Sequence, residues 1–201
     1  MTIMQPQRAK AGTGGRGRPS RRAAGFTLVE LMIGIAILAL ALALGIPSMS
    51  AWLQSNQIRN AAESVQNGLQ LTKAEAVRRN TGVQFTLSSL TATGAADWSV
   101  TCVTPSADCP GAGMTETEIQ KYSAMEGAPA ARVSAPQATI VFTGMGRVSP
   151  AANIAIDITN PNAGTCAASG GNMRCLRVMV SAGGHIRMCD PALPSSNPRG
   201  C

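Results

Sequence analysis

Hydrophobic and polar positions divide this chain into an apolar run, an amphipathic run and an alternating half. From Leu31 to Pro47 no residue carries a hydrogen-bonding side chain. With residues 26–29 added, the run is long enough to cross a bilayer as a helix of about 20 residues. Glu30 interrupts it near its start. A lone carboxylate there costs several kcal/mol in hydrocarbon, so it needs a partner or a use. Beyond Pro47 the spacing changes. Ile58, Ala62, Val65, Leu69, Thr72 and Ala76 recur at steps of three and four, which makes one face of an amphipathic helix. Arg59, Glu63, Gln66, Gln70 and Lys73 lie mostly off that face. One helix is therefore expected from about Phe26 to about Arg79, loosened or kinked where Pro47 follows Gly45. At 1.5 Å per residue its length would be about 80 Å. Asn80-Thr81-Gly82 supplies a stop signal.

After Gly82 the period shifts toward two. Val83-Gln84-Phe85-Thr86-Leu87, Trp98 to Val103, and Asn153 to Thr159 alternate apolar and polar residues, and Ala138 to Phe142 is β-branched and apolar. Cys175 to Val180 and His185 to Met188 flank Ser181-Ala182-Gly183-Gly184, the pattern of a hairpin. The second half is expected to be a mainly antiparallel β head, residues 81–201, packed on the helix. Residues 104–135 hold Pro, Gly and acidic residues and read as an irregular excursion. Trp98 is expected to pack in the head, and Trp52 on the helix near a membrane interface.

Charge changes the picture at the N-terminus. The formal net charge is +7, but Arg8, Lys10, Arg16, Arg18, Arg21 and Arg22 supply +6 of it within residues 1–25, with no acid beside them. That segment reads as a disordered basic leader held in the cytoplasm by the positive-inside rule. The rest is split. Residues 81–131 carry Asp97, Asp108, Glu116, Glu118 and Glu126 against Lys121, whereas residues 132–201 carry Arg132, Arg147, Arg174, Arg177, Arg187 and Arg199 against Asp157 and Asp190. Arginine suits bidentate contact with phosphate or carboxylate. The cysteines fall into three close pairs, Cys102/Cys109, Cys166/Cys175 and Cys189/Cys201, though six cysteines allow about 15 pairings in principle. An even count beyond a membrane helix points to an oxidising compartment. A bridge from Cys189 to Cys201 would close the proline-rich tail into a loop, worth about 3 kcal/mol in the chain-entropy view.

Catalysis and metal binding find little purchase. There is no C-x-x-C, the single histidine is His185, and no Ser/His/Asp set or useful carboxylate pair stands out. Gly170-Gly171 and Gly183-Gly184 are turn signals rather than a phosphate loop. Neither an enzyme nor a cofactor is expected. A basic segment before an apolar run also describes a secretory signal peptide, with Ala41-Leu42-Ala43 as a cleavage site. Neither a signal peptide nor a plain membrane anchor has reason to carry Glu30 at the head of its apolar core, and a signal peptide does not normally continue into a long amphipathic helix.

Gly25-Phe26-Thr27-Leu28-Val29-Glu30 resembles the G-F-T-L-x-E processing site of type IV pilin-like proteins. The resemblance implies cleavage between Gly25 and Phe26 by a prepilin peptidase, followed by N-methylation of Phe26. It gives Glu30, with Thr27, a part in assembly: Glu30 would neutralise an N-terminal amine in the filament. Carboxylate and ammonium in low dielectric are each costly alone and far cheaper paired. The wider pattern resembles the FimT/GspH family of minor pilins and pseudopilins. The helix end Leu71 to Asn80, Val141-Phe142-Thr143-Gly144-Met145-Gly146-Arg147, and the ending from Arg177-Val178 to Cys189-Asp190-Pro191 carry it alongside the processing site.

The implied architecture is an α+β pilin-like fold. A leader occupies residues 1–25, a transmembrane and assembly helix 26–51, its amphipathic continuation 52–80, and a periplasmic head with disulfides 81–201. The implied partners are other pilins or pseudopilins, the prepilin peptidase and the bacterial inner membrane. Some pilus members of the family bind DNA through G-R-x-R. The matching positions here are Gly184-His185-Ile186-Arg187, with His185 in place of the first arginine. DNA contact would then fall to Arg187, His185, Gly184, Arg199 and Arg177. The expectation is a minor pilin of a type IV pilus, because the Cys189–Cys201 tail with Arg199 resembles the pilin branch. The alternative is a minor pseudopilin of type II secretion.

Overall fold

The computed structural model describes residues 25–89, 94–104, 109 and 118–201, with the side chains of 44–48 excepted. The leader expected over 1–25 thus lies, apart from Gly25, outside the described residues, as do the side chains at the expected kink and the acids Asp108 and Glu116. Helix α1, Leu28–Arg79, is assigned without interruption. The chain falls into two compact units that divide between Leu44 and Gly45.

In the first unit the helix is apolar apart from Glu30, and its large side chains are exposed: Leu28 is 74 % accessible, Ile37 64 % and Leu40 66 %. Among the described residues no helix is long and apolar enough to cross a membrane. The described side chains of this run stop at Ala43, while the apolar sequence continues to Pro47.

In the second unit the helix has one buried face. Ile58, Ala61, Ala62, Val65, Leu69, Thr72 and Ala76 are fully buried, whereas Arg59, Glu63 and Gln70 are exposed. Burial begins at Ile58, so Trp52, expected on the helix near a membrane interface, stands outside the core of the head at 63 % exposure. The helix ends in a Schellman arrangement. Thr81 N–H reaches the Ala76 carbonyl and Asn80 N–H the Val77 carbonyl, both at 3.2 Å. Asn80 takes the left-handed φ of 51° that this termination needs.

Two antiparallel sheets pack on that face. The first contains β1 (Val83–Leu87), β2 (Trp98–Cys102), β3 (Glu118–Tyr122), β5 (Thr139–Phe142) and β6 (Val148–Ser149), in the order β3-β2-β1-β5-β6. The second contains β4 (Arg132–Ser134), β7 (Ile154–Thr159), β8 (Leu176–Val180) and β9 (Ile186–Cys189), in the order β4-β7-β8-β9. Strict alternation buries Val83, Phe85 and Leu87 on β1 and Ile154, Ile156 and Ile158 on β7. Both sheets and the helix contribute to one hydrophobic cluster. Gly68 makes room for its aromatic part: a Cβ there would lie 2.7 Å from Phe85 and 3.0 Å from Trp98. Trp98 stacks on Tyr122 and donates its indole N–H to Ser64 Oγ at 2.9 Å.

Among its described residues, the stretch read as irregular holds two strands, β3 and β4. Strand β3, Glu-Ile-Gln-Lys-Tyr, lies at a sheet edge and buries no residue fully, so it shows no apolar alternation. Disulfides join Cys102 to Cys109, Cys166 to Cys175 and Cys189 to Cys201.

Candidate functional site

Two regions carry the candidate chemistry. The first is the start of α1. Thr27 Oγ1 accepts the Glu30 backbone N–H at 3.2 Å, and the Thr27 carbonyl accepts from Leu31 N–H at 3.1 Å. Thr27 is therefore the N-cap, and Glu30 stands at the third helical position, the spacing of a capping box. Glu30 is the acid of the first turn, where the positive end of the helix dipole favours a carboxylate. Gly25 and Phe26 precede the helix and are exposed, and a Cβ at Gly25 would meet nothing within 4 Å. The Gly25–Phe26 peptide bond is thus non-helical and open.

The second region is the β8–β9 hairpin with the tail beyond it. Gly184 is buried at its turn with φ +80°, and a Cβ there would run into the Gly146 carbonyl oxygen. Its own carbonyl accepts from Lys73 Nζ of the helix at 2.8 Å. Gly184 is thus a packing position where helix and two turns meet. His185 is exposed; its backbone N–H donates to Ser181 Oγ at 3.0 Å.

The arginines divide by what they hold. Arg177 faces Asp157 directly across β7 and β8 and grips it with two bonds, of 2.7 and 3.0 Å. Asp157, accepting those bonds, raises the Arg177 pKa further above its ordinary value. Arg187 donates to the carbonyls of Gly200 and Cys201, both at 3.3 Å, and so ties down the disulfide-closed tail. Arg174 holds the buried Asp190 at 2.7 Å.

Arg199 is exposed at the rim of a groove of about 300 Å³. The groove lies between the helix (Ser55, Asn56, Arg59) and the ends of β8 and β9, and Arg174 and Arg199 share it with Arg59. The structure therefore pairs Arg177 with Asp157 and sets Arg187 against the tail that carries Arg199. It also brings in Arg59, which sequence spacing could not find because the helix and the tail are far apart in the chain. Among the described residues, no group of three or more His, Cys, Asp or Glu side chains is placed to hold a metal ion.

Comparison with known proteins bears on both regions. No curated protein matches the chain. A crystal structure of the type IV minor pilin FimU of Pseudomonas aeruginosa shares 19 % identity at a TM-score of 0.49, covering 73 % of this chain and 96 % of that one. A second crystal form of FimU gives 18 % identity and a TM-score of 0.46, covering 71 % and 98 %. The prokaryotic N-terminal methylation motif matches residues 20–46 and includes the capped helix start. The family described as type II transport protein GspH matches residues 61–184, from the buried helix face to the Gly184 turn. With more than half of its length matched, and the methylation motif ahead of the match, the chain belongs to the GspH family, as a minor pilin or pseudopilin.

Proposed function

We propose that the protein is a minor structural subunit of a type IV pilus, made as a precursor and cut between Gly25 and Phe26 by a prepilin peptidase. Phe26 is then N-methylated, residues 26–51 anchor the subunit in the inner membrane, and the head faces the periplasm. From the membrane the helix enters the filament, where Glu30 pairs with an N-terminal amine. One observation carries this reading: the methylation motif coincides with the Thr27-capped helix start at residues 25–30. The cap leaves the scissile bond outside the helix, and it sets Glu30 in the first turn beside the new terminus. The exposed apolar half supports it too, since so large an apolar surface calls for lipid or neighbouring helices to cover it.

Two variants test the assignment. Glu30→Ala is expected to be cleaved normally and to be missing from sheared filaments; normal incorporation would overturn the assembly role. Gly25→Trp is expected to accumulate as uncut precursor, and cleavage at the same bond would show the site to be misread.

The description of the matched family favours a second reading, a minor pseudopilin of type II secretion. Deletion separates the two. The pilus reading expects loss of surface pili with secreted proteins unchanged, and the secretion reading expects the reverse.

A further inference from the structure

The geometry points to the Arg59–Arg174–Arg199 groove as a binding site for an acidic peptide segment on a neighbouring subunit. The partner's identity rests on the filament reading above; the groove's chemistry does not. Among the described residues, three guanidinium groups line the groove against one carboxylate, Asp190. That carboxylate is spoken for: it is 4 % exposed, receives Arg174 Nε at 2.7 Å and accepts the Ala192 N–H at 2.9 Å. Arg174 uses Nε on Asp190, and its Nη groups make no hydrogen bond among the described residues. Arg199 is anchored through its backbone, whose carbonyl accepts from Asp190 N–H at 2.7 Å, so the fold fixes its position without using its charge.

Arg59 pairs with Glu63 at 2.9 Å, with 71 % and 50 % of the two side chains exposed. A pair so open to water contributes little, so Arg59 can turn to an incoming carboxylate at small cost. Ser55 and Asn56 add neutral donors on the helix side.

The occupant follows from shape and lining. Guanidinium forks match carboxylate geometry. Leu176 and Met188 give the groove an apolar floor, which suits the aliphatic stem of an acidic side chain and its neighbours. The volume, about 300 Å³, accommodates one or two side chains. Among the described residues no aromatic side chain lines the groove, so the stacking platform on which single-stranded nucleic acid relies is missing there.

The test uses the mature chain, from Phe26 onward and so without the basic leader, in detergent micelles with a fluorescently labelled hexaglutamate peptide, read by anisotropy at low salt and then with rising salt. Wild type is expected to bind, and to release the peptide as salt rises. Arg59→Gln and Arg199→Gln should each weaken binding about tenfold. Arg147→Gln removes the same charge from an exposed site outside the groove and should stay within about twofold of wild type. Failure of wild type to bind at low salt would overturn the proposal, and so would an equal loss in Arg147→Gln. A labelled oligothymidylate of equal charge that bound more tightly through the same two arginines would replace the peptide with nucleic acid and overturn it as well. Failure here leaves the Glu30→Ala assembly result standing, because Glu30 takes no part in the groove.

Discussion

At the scale of single residues, similar side chains take different duties because of what surrounds them. Gly184 looks in sequence like the first member of a ligand-binding motif. In the fold it holds a left-handed φ against the Gly146 carbonyl and takes a bond from Lys73. Gly184→Ala should therefore cost about 2 kcal/mol or more, from the left-handed backbone plus the collision. Denaturant melts of the purified chain measure it, and an unchanged midpoint would contradict the packing role. Glu75 offers a pH-dependent case. Arg78 and Arg79 both bond its carboxylate, at 2.7 Å each, and the Arg78 hydrogen bond leads in pulling its pKa below the ordinary glutamate value. A depressed folded-state pKa adds stability above the ordinary value and loses it as pH falls through the folded one. The stability gap between wild type and Glu75→Gln should therefore narrow on acidification through the acidic range below pH 4.5, and a gap independent of pH there would argue against it.

At the scale of elements, α1 is defined by its two ends. Thr27 caps the start, and Asn80 closes the finish in a left-handed turn beside Gly144, where a Cβ would lie 2.7 Å from Asn80. Asn80→Gly should stay within about 0.5 kcal/mol of wild type, since glycine suits that φ best, while Asn80→Val should lose about 1–2 kcal/mol. Thermal melts of both would decide it; equal losses would rule out the cap. Strands that cross the core, β1, β2, β7 and β8, were legible because each buries alternate apolar residues. Strands β3, β4 and β6 were not. The first has an exposed, charged edge pattern, and the other two are three and two residues long, too short for any period.

At the scale of the whole molecule, the methylation motif was legible as a contiguous run, and its threonine and glutamate take the three-residue spacing of a helix cap. The arginine chemistry was not legible, because it depends on register and on tertiary approach. Arg177 meets Asp157 only through the pairing of β7 with β8, and Arg59 meets Arg199 only once the tail folds back on the helix. The tail is held by the Cys189–Cys201 bond and by Arg187. Replacing both cysteines by serine should cost about 2–4 kcal/mol and expose the tail to protease, whereas wild-type resistance would mean that Arg187 alone suffices.

We propose that this chain becomes a filament subunit by a cut just outside its capped helix. Mass spectrometry of the N-terminal peptide, from protein recovered in sheared surface filaments, tests it most directly. The expected peptide begins with N-methylated Phe26. An intact leader, or a start beyond Ala43 as a signal peptidase would leave, would contradict it.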